Sequence, residues 1–321
     1  KKMTTGTRVC TRGDLLRWGV VLLVLVLDGA WLVASERSVT TASLRGSGLG
    51  VAMLAAIATV LGLIASHPRI TATSRGLHYR RLALVAHSGA LLVAFTNVMS
   101  VMSYLLVTLA PPLVDERLAA LDRMLGFDWP QAYAWVRAHP AIDLIFKFAY
   151  MSGLAQLLLI PMLTGLLGHA TYLREFVASQ MLSCVLLLLI AAPWPAAGAY
   201  VSYGLASPGE LATVAHFGPL RDGTMQVFDL GHMQGLVSLP SYHTTLALIF
   251  VQSMRWTRVG FIVACVLNGL MILSTPTEGG HYLVDVVAGV ALWALTAGML
   301  HVFSNRSTPA LSGRMAPTQP A

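Results

Sequence analysis

Three observations predict an all-α integral membrane protein with about eight transmembrane helices. Of 321 residues, 56% are hydrophobic and only 11% are charged, against about 25% charged in a soluble globular domain. Mean hydropathy is +0.69. The apolar residues gather in runs of about 20, the length that crosses a ~30 Å hydrocarbon core at 1.5 Å per residue.

Residues 1–14 are polar and basic, with Lys1, Lys2, Arg8 and Arg12. The first apolar run, 15–34, exceeds the apolar centre of a cleavable signal peptide and reads as an uncleaved first span. Further spans are expected at 48–66, 82–110, 141–167, 176–200, 240–254, 258–274 and 280–303. Residues 111–140 carry apolar residues at near-helical spacing together with Trp129, Tyr133 and Trp135. That is the pattern of a helix lying in the membrane surface. Residues 201–239 hold Gly, Ser and Asp and are expected to form an ordered lid or loop, since connections this long are usually functional or disordered. The tail from Ser304, rich in Ser, Thr and Pro, is expected to be disordered.

The net charge of +7 would point a soluble protein toward nucleic acid. Here the basic residues sort by side instead. With alternating spans, 14 of the 21 Lys and Arg residues fall on the side of the N-terminus and 7 on the other. By the positive-inside rule both termini are cytoplasmic, and the ends at Ser238 and His281 face the periplasm or a lumen. Cys10, Cys184 and Cys265 are too few and too scattered for a disulfide framework or a zinc site.

Two clusters carry chemistry on that outer side. His281 and Asp285 are four residues apart and share a helix face. A carboxylate one turn inside a span is costly without a partner. Bonded to one imidazole nitrogen, it fixes the tautomer and raises the basicity of the other. Alone, such a pair serves equally as a structural bond at a helix end. Pro240-Ser241 suits a helix start, whose free N–H groups attract an anion. Ser241 would add a hydroxyl there, and His243 could protonate a leaving oxygen. Taken alone, this second cluster also fits a capped helix with an interfacial histidine.

Together, Pro240-Ser241-Tyr242-His243 and His281-Tyr282-Leu283-Val284-Asp285, followed by Gly289, resemble the second and third motifs of the type 2 phosphatidic acid phosphatase superfamily. Leu125-Gly126-Phe127-Asp128-Trp129 and the His-Tyr pair are similar to the branch containing the fungal inositol phosphorylceramide synthases. The resemblance implies a six-helix catalytic membrane domain over 82–303. An N-terminal cytoplasmic segment with two added helices (1–81) would precede it, and a cytoplasmic tail (304–321) would follow. It implies His281 as nucleophile, Asp285 as its orienting partner and His243 as general acid. Ser241, Tyr242 and nearby amides would hold the phosphate, with no metal or cofactor required. Its partners would be a lipid phosphate and an alcohol or water acceptor, with no nucleic acid.

The superfamily's first motif, a Lys followed by Arg-Pro, is not evident, and Ser274 is followed by Thr275 where Ser-Arg is usual. Arg137 and Lys147 are expected to supply the missing cations, with Arg123 and Arg221 also on the correct side. Departure from these basic motifs favours the transferase branch over a phosphatase. The polar residues Asp28, His87, Asn97 and Gln156 inside spans are expected to form interhelical hydrogen bonds. His216 and His232 lack metal-ligand spacing. A transporter would favour broken helices and inverted repeats, which the sequence does not show. A catalytically inactive homologue that binds lipid phosphate is a third reading.

Overall fold

Thr11 and Asp14 exchange hydrogen bonds in a capping box and start helix α1 (Arg12–Ala34). The computed structural model describes residues 9–306, with side chains through 303, so the expected disordered tail lies almost wholly outside the described residues. Strand β1 (Ser38–Val39) precedes α2 (Thr41–Ser66), and α3 (Ser74–Val107) starts on the Thr73 cap. Two short helices follow, α4 (Asp115–Met124) and α5 (Trp129–Arg137), the second begun by Asp128, which accepts from the Gln131 amide at 3.0 Å. Then come α6 (Pro140–Leu166) and α7 (Ala170–Ala191). The segment after α7 holds α8 (Ala199–Tyr203), α9 (Pro208–Ala212), α10 (Phe217–Arg221), strand β2 (Val227–Phe228) and a 3-10 turn. The chain closes with α11 (Tyr242–Ser253), α12 (Arg258–Glu278) and α13 (Leu283–Arg306).

Among the described residues seven helices are long and apolar enough to cross a membrane: α1, α2, α3, α6, α7, α12 and α13. The all-α multi-pass class therefore holds, but the span expected at 240–254 needs correction. Helix α11 has 12 residues, ~18 Å of rise, short of a ~30 Å core. Its Ala247, Ile249 and Phe250 are buried among neighbouring helices, so protein rather than lipid covers it. Helix α3 begins before residue 82, extended past Arg80 and Arg81, whose guanidiniums bond the carbonyls of Thr71 and Leu166. Helix α7 stops at Ala191 rather than 200, because Pro193 and Pro195 follow and cannot continue an i to i−4 ladder.

Helices α3, α6, α7, α11, α12 and α13 pack on one another, while α1 and α2 lie against α3 with most of their surface outward. The loops sort to two ends. At one, Ser38 and Val39 pair in parallel register with Val227 and Phe228, and Arg137 of α5 meets Glu278 at the end of α12. At the other, His169 stacks on Trp256 at 4.1 Å and Arg255 pairs with Glu175 at 2.5 Å. The heads of α11 and α13 thus share one end with α4, α5 and the 201–239 segment.

Candidate active site

Two helix heads meet first through their backbones. The Ser241 amide donates to the Asp285 carbonyl at 2.9 Å, tying the start of α11 to the first turn of α13. Gly289 permits this approach, since a Cβ there would lie 2.5 Å from the Ser241 carbonyl oxygen. Ser241 is fully buried, and its Oγ accepts from the Thr244 amide as an N-cap. Thr245 Oγ1 donates across to the Gly289 carbonyl at 2.9 Å.

His281 is held on the second head. Gly280 before it takes φ +63°, and a Cβ there would strike the Tyr200 ring at 2.5 Å. Its carbonyl accepts from the Ala199 amide at 2.7 Å. His281 Nδ1 lies 3.4 Å from Asp285 Oδ2. That oxygen also accepts from Ser238 Oγ at 2.7 Å and from the Tyr282 amide at 3.0 Å. Oδ1 of Asp285 is buried with no partner among the described residues.

Helix α4 supplies the support beneath. Asp122 accepts from the Leu283 and Val284 amides at 2.9 and 3.0 Å, capping α13 from another element. Burial pushes the Asp122 carboxyl above its ordinary range, while those two amides pull the other way. Asp115 accepts from the Tyr282 hydroxyl at 3.0 Å and from the amides of Ala197 and Gly198.

The ring of His243, one residue into α11, has its centroid 6.3 Å from that of His281, the planes crossing at 64°. Tyr150 of α6 stacks on His243 at 4.2 Å, with its hydroxyl 3.1 Å from Nδ1. Ser241, His243, His281 and Asp285 are therefore brought together. The two imidazoles lie edge to face, and one of them is backed by a carboxylate.

The other expected phosphate ligands are placed differently. The Tyr242 hydroxyl runs to α7, donating to Gln180 Oε1 at 2.9 Å, because Tyr242 and His243 leave the helix about 100° apart. The Arg137 guanidinium pairs with Asp143, with Glu210 at 2.6 Å and with Glu278 at 2.9 Å, and also donates to the Thr277 carbonyl. Lys147 pairs with Asp143 at 2.5 Å. Three carboxylates thus surround two cations, and neither presents an unpaired charge to a phosphate. Burial works against the Arg137 charge, yet Glu278 and Tyr133 raise its pKa above the ordinary range. Arg221 donates to the Pro111 carbonyl at 2.8 Å.

Among the polar residues within spans, Gln156 accepts from Asn268 Nδ2 at 2.7 Å between α6 and α12. Asp28 does not follow the same expectation: both its oxygens are buried without a partner among the described residues. Cys10, Asp14 and His87 bring ligand atoms within 4.8 Å of one another, a grouping the spacing of the cysteines did not reveal. The Asp14 carboxylate is already engaged there, Oδ2 by Thr11 and Oδ1 by Arg17 at 2.6 Å. Asp14 there serves as a capping-box residue of α1.

Residues that sequence reasoning missed are Tyr150, Ser238 in its bond to Asp285, and Asp115 and Asp122 as supports. Asp115 and Asp122 were visible only as acidic groups in the connection 111–140. Tyr150 carries no signal, being one aromatic in an apolar run.

A sequence model of the PAP2 superfamily matches residues 116–299, from α4 through most of α13. The chain belongs to the PAP2 superfamily. Membership supports a phosphatase- or phosphotransferase-type enzyme that acts on lipid phosphates in the membrane. The matched stretch contains Tyr150, Ser241, His243, His281 and Asp285, while Asp115 and α1 to α3 precede it. No curated protein and no solved structure matches the chain.

Proposed function

We propose that this PAP2 protein transfers a phosphoryl or phospho-head group through a phosphohistidine, leaning toward the inositol phosphorylceramide synthase type of phosphotransferase. The observation that carries the reading is the pair of imidazoles with centroids 6.3 Å apart, one of them bonded to a buried carboxylate. His281 Nδ1 is turned to Asp285, which leaves Nε2 as the attacking lone pair. It bonds to phosphorus as the bond from phosphorus to the leaving oxygen breaks. His243 gives that oxygen a proton. An alcohol or water then attacks the phosphohistidine, its proton passes to His243, and the P–N bond breaks to restore His281. Ser241 and the first amides of α11, at the positive end of that helix, meet the charge on the phosphoryl oxygens. Chemistry at this end of the bundle faces the periplasm or a lumen.

Water as acceptor makes the same site a lipid phosphate or diphosphate phosphatase. The binding of Arg137 and Lys147 to carboxylates favours the transferase branch, since those cations are not held ready for a free phosphate monoester. The competing classes are a lipid transporter and an inactive lipid-phosphate-binding homologue. Purified protein given lipid phosphates, diphosphates and phosphodiesters with water, inositol and ceramide acceptors, with products identified by mass spectrometry, tests the reading. The wild type is expected to turn over at least one donor without added metal. His281→Ala and His243→Ala should each fall by on the order of 10²-fold or more. Equal turnover by all three proteins would sink the proposal, and a phosphate trapped on His281 excludes the inactive homologue.

A further inference from the structure

We infer that the Tyr150 hydroxyl is a phosphate ligand, donating to a phosphoryl oxygen of the substrate in place of the missing cations. The inference rests on the proposed reaction, in which His243 gives and regains a proton. Three observations carry it. The hydroxyl stands 3.1 Å from His243 Nδ1 and has no second partner among the described residues. A Cβ on Gly279 would lie 2.7 Å from that hydroxyl and 2.8 Å from His281 Cδ2, so a single atom there would touch both. Cδ2 is bonded to Nε2, the nitrogen proposed to attack. Arg137 and Lys147, meanwhile, are held by carboxylates.

The direction of the contact with His243 follows from the work of that ring. Nε2 must carry the travelling proton, so Nδ1 keeps its own proton throughout. In the free protein the ring is neutral, since burial and the nearby His281 push it down to about 3. Beside the negative charge of a bound phosphate it takes a second proton, on Nε2, and can act as the acid. With Nδ1–H donating in both states, the Tyr150 oxygen accepts and its own proton needs another acceptor. A hydroxyl proton with none loses its hydration without return. A phosphoryl oxygen lying between the two imidazoles supplies that acceptor. A neutral donor there meets the charge on the phosphoryl oxygens without a buried counter-ion.

Tyr150→Phe keeps the stacked ring and removes only the donor. Turnover of a lipid phosphate, as kcat/KM, should fall on the order of 10²-fold. p-Nitrophenyl phosphate should show the same fall, because its phosphoryl oxygens carry the same charge although its leaving group needs no acid. Binding is read separately, by titrating inorganic phosphate into detergent-solubilised protein labelled with carbon-13 at tyrosine Cζ. The Tyr150 signal, assigned by its loss in Tyr150→Phe, should shift and saturate. Nitrogen-15 NMR of histidine-labelled protein, with His243→Gln assigning the signal, should show Nδ1–H in the neutral wild-type ring. Followed through that His243 signal, phosphate should bind Tyr150→Phe on the order of 10-fold more weakly. A fall on the lipid substrate that p-nitrophenyl phosphate escapes, or unchanged rates on both, overturns the inference. So does an Nε2–H tautomer in the wild type, or a Tyr150 signal indifferent to phosphate. Should the protein turn over no phosphate ester, the titration still decides the ligand, and the failure belongs to the proposed reaction.

Discussion

The two histidines sit 6.3 Å apart and are wired in opposite ways. His281 belongs to a charged network: Asp285 holds its Nδ1, Ser238 and the Tyr282 amide hold Asp285, and Asp122 caps the helix that carries both. His243 has a neutral partner, the Tyr150 hydroxyl, and a stacked ring. The contrast matches two chemical jobs. A carboxylate makes an imidazole more basic and steadies the cation that forms on attack. A hydroxyl fixes an imidazole without adding charge, which suits a group that must give a proton away.

The largest break in that contrast comes at Asp285. Asp285→Asn keeps the shape and removes the charge, so the proposed nucleophile loses basicity and tautomer control together. A fall in kcat on the order of 10³-fold is expected, measured as phosphoryl transfer from the best donor, with aryl and alkyl leaving groups equally affected. This change acts on attack rather than on departure of the leaving group. An aryl substrate that rescued Asp285→Asn would erase the distinction between the two histidines.

Ser238→Ala tests the next bond out. It removes a 2.7 Å donor to Asp285 Oδ2, whose other oxygen already lacks a partner among the described residues. A hydrogen bond to a charged group is worth about 1.5–3 kcal/mol, and the lower end, about a 10-fold fall in rate, is expected because the Tyr282 amide remains. Ser238→Thr, which keeps the hydroxyl, should recover most of the rate.

The smallest effect lies at the latch between α5, α9 and α12. Burial works against the charge of Glu210, but hydrogen bonds from Ser207 and Tyr133 and the Arg137 guanidinium hold its carboxyl below the usual glutamate range. A depressed folded pKa contributes stability above the unfolded value and loses it as pH falls through the folded one. Limited proteolysis of residues 201–239 should therefore quicken as pH drops below the ordinary glutamate range. Glu278 and Asp143 share the Arg137 guanidinium with Glu210. Glu210→Gln should be cut faster already at neutral pH, by a loss of about 1 kcal/mol or less, with both histidines still active. A large loss of catalysis in Glu210→Gln would instead place Arg137 among the groups that meet substrate.

How much of this was legible varies residue by residue. Composition and run length determined the membrane class, because charge in hydrocarbon is costly and about 20 residues are needed to cross it. The same logic overcounted at 240–254, where an apolar run of helix is covered by other helices and need not span. His281 and Asp285 could be paired from sequence since i and i+4 share a helix face whatever surrounds them. The meeting of His243 with His281 rested on motif resemblance, for 38 residues separate them and no local period links them.

The polar supports were decided only by tertiary structure. Asp122 reaches the α13 amides across 161 residues, Ser238 reaches Asp285 across 47, and Tyr150 reaches His243 across 93. Hydrogen bonds have a reach of about 3 Å in space and none in sequence, so only the packing of α4, α6, α11 and α13 could select these partners. Arg137 shows the same limit from the other side. Its charge was readable from the chain, but the three carboxylates that claim it come from α6, α9 and α12 and gather only in the fold.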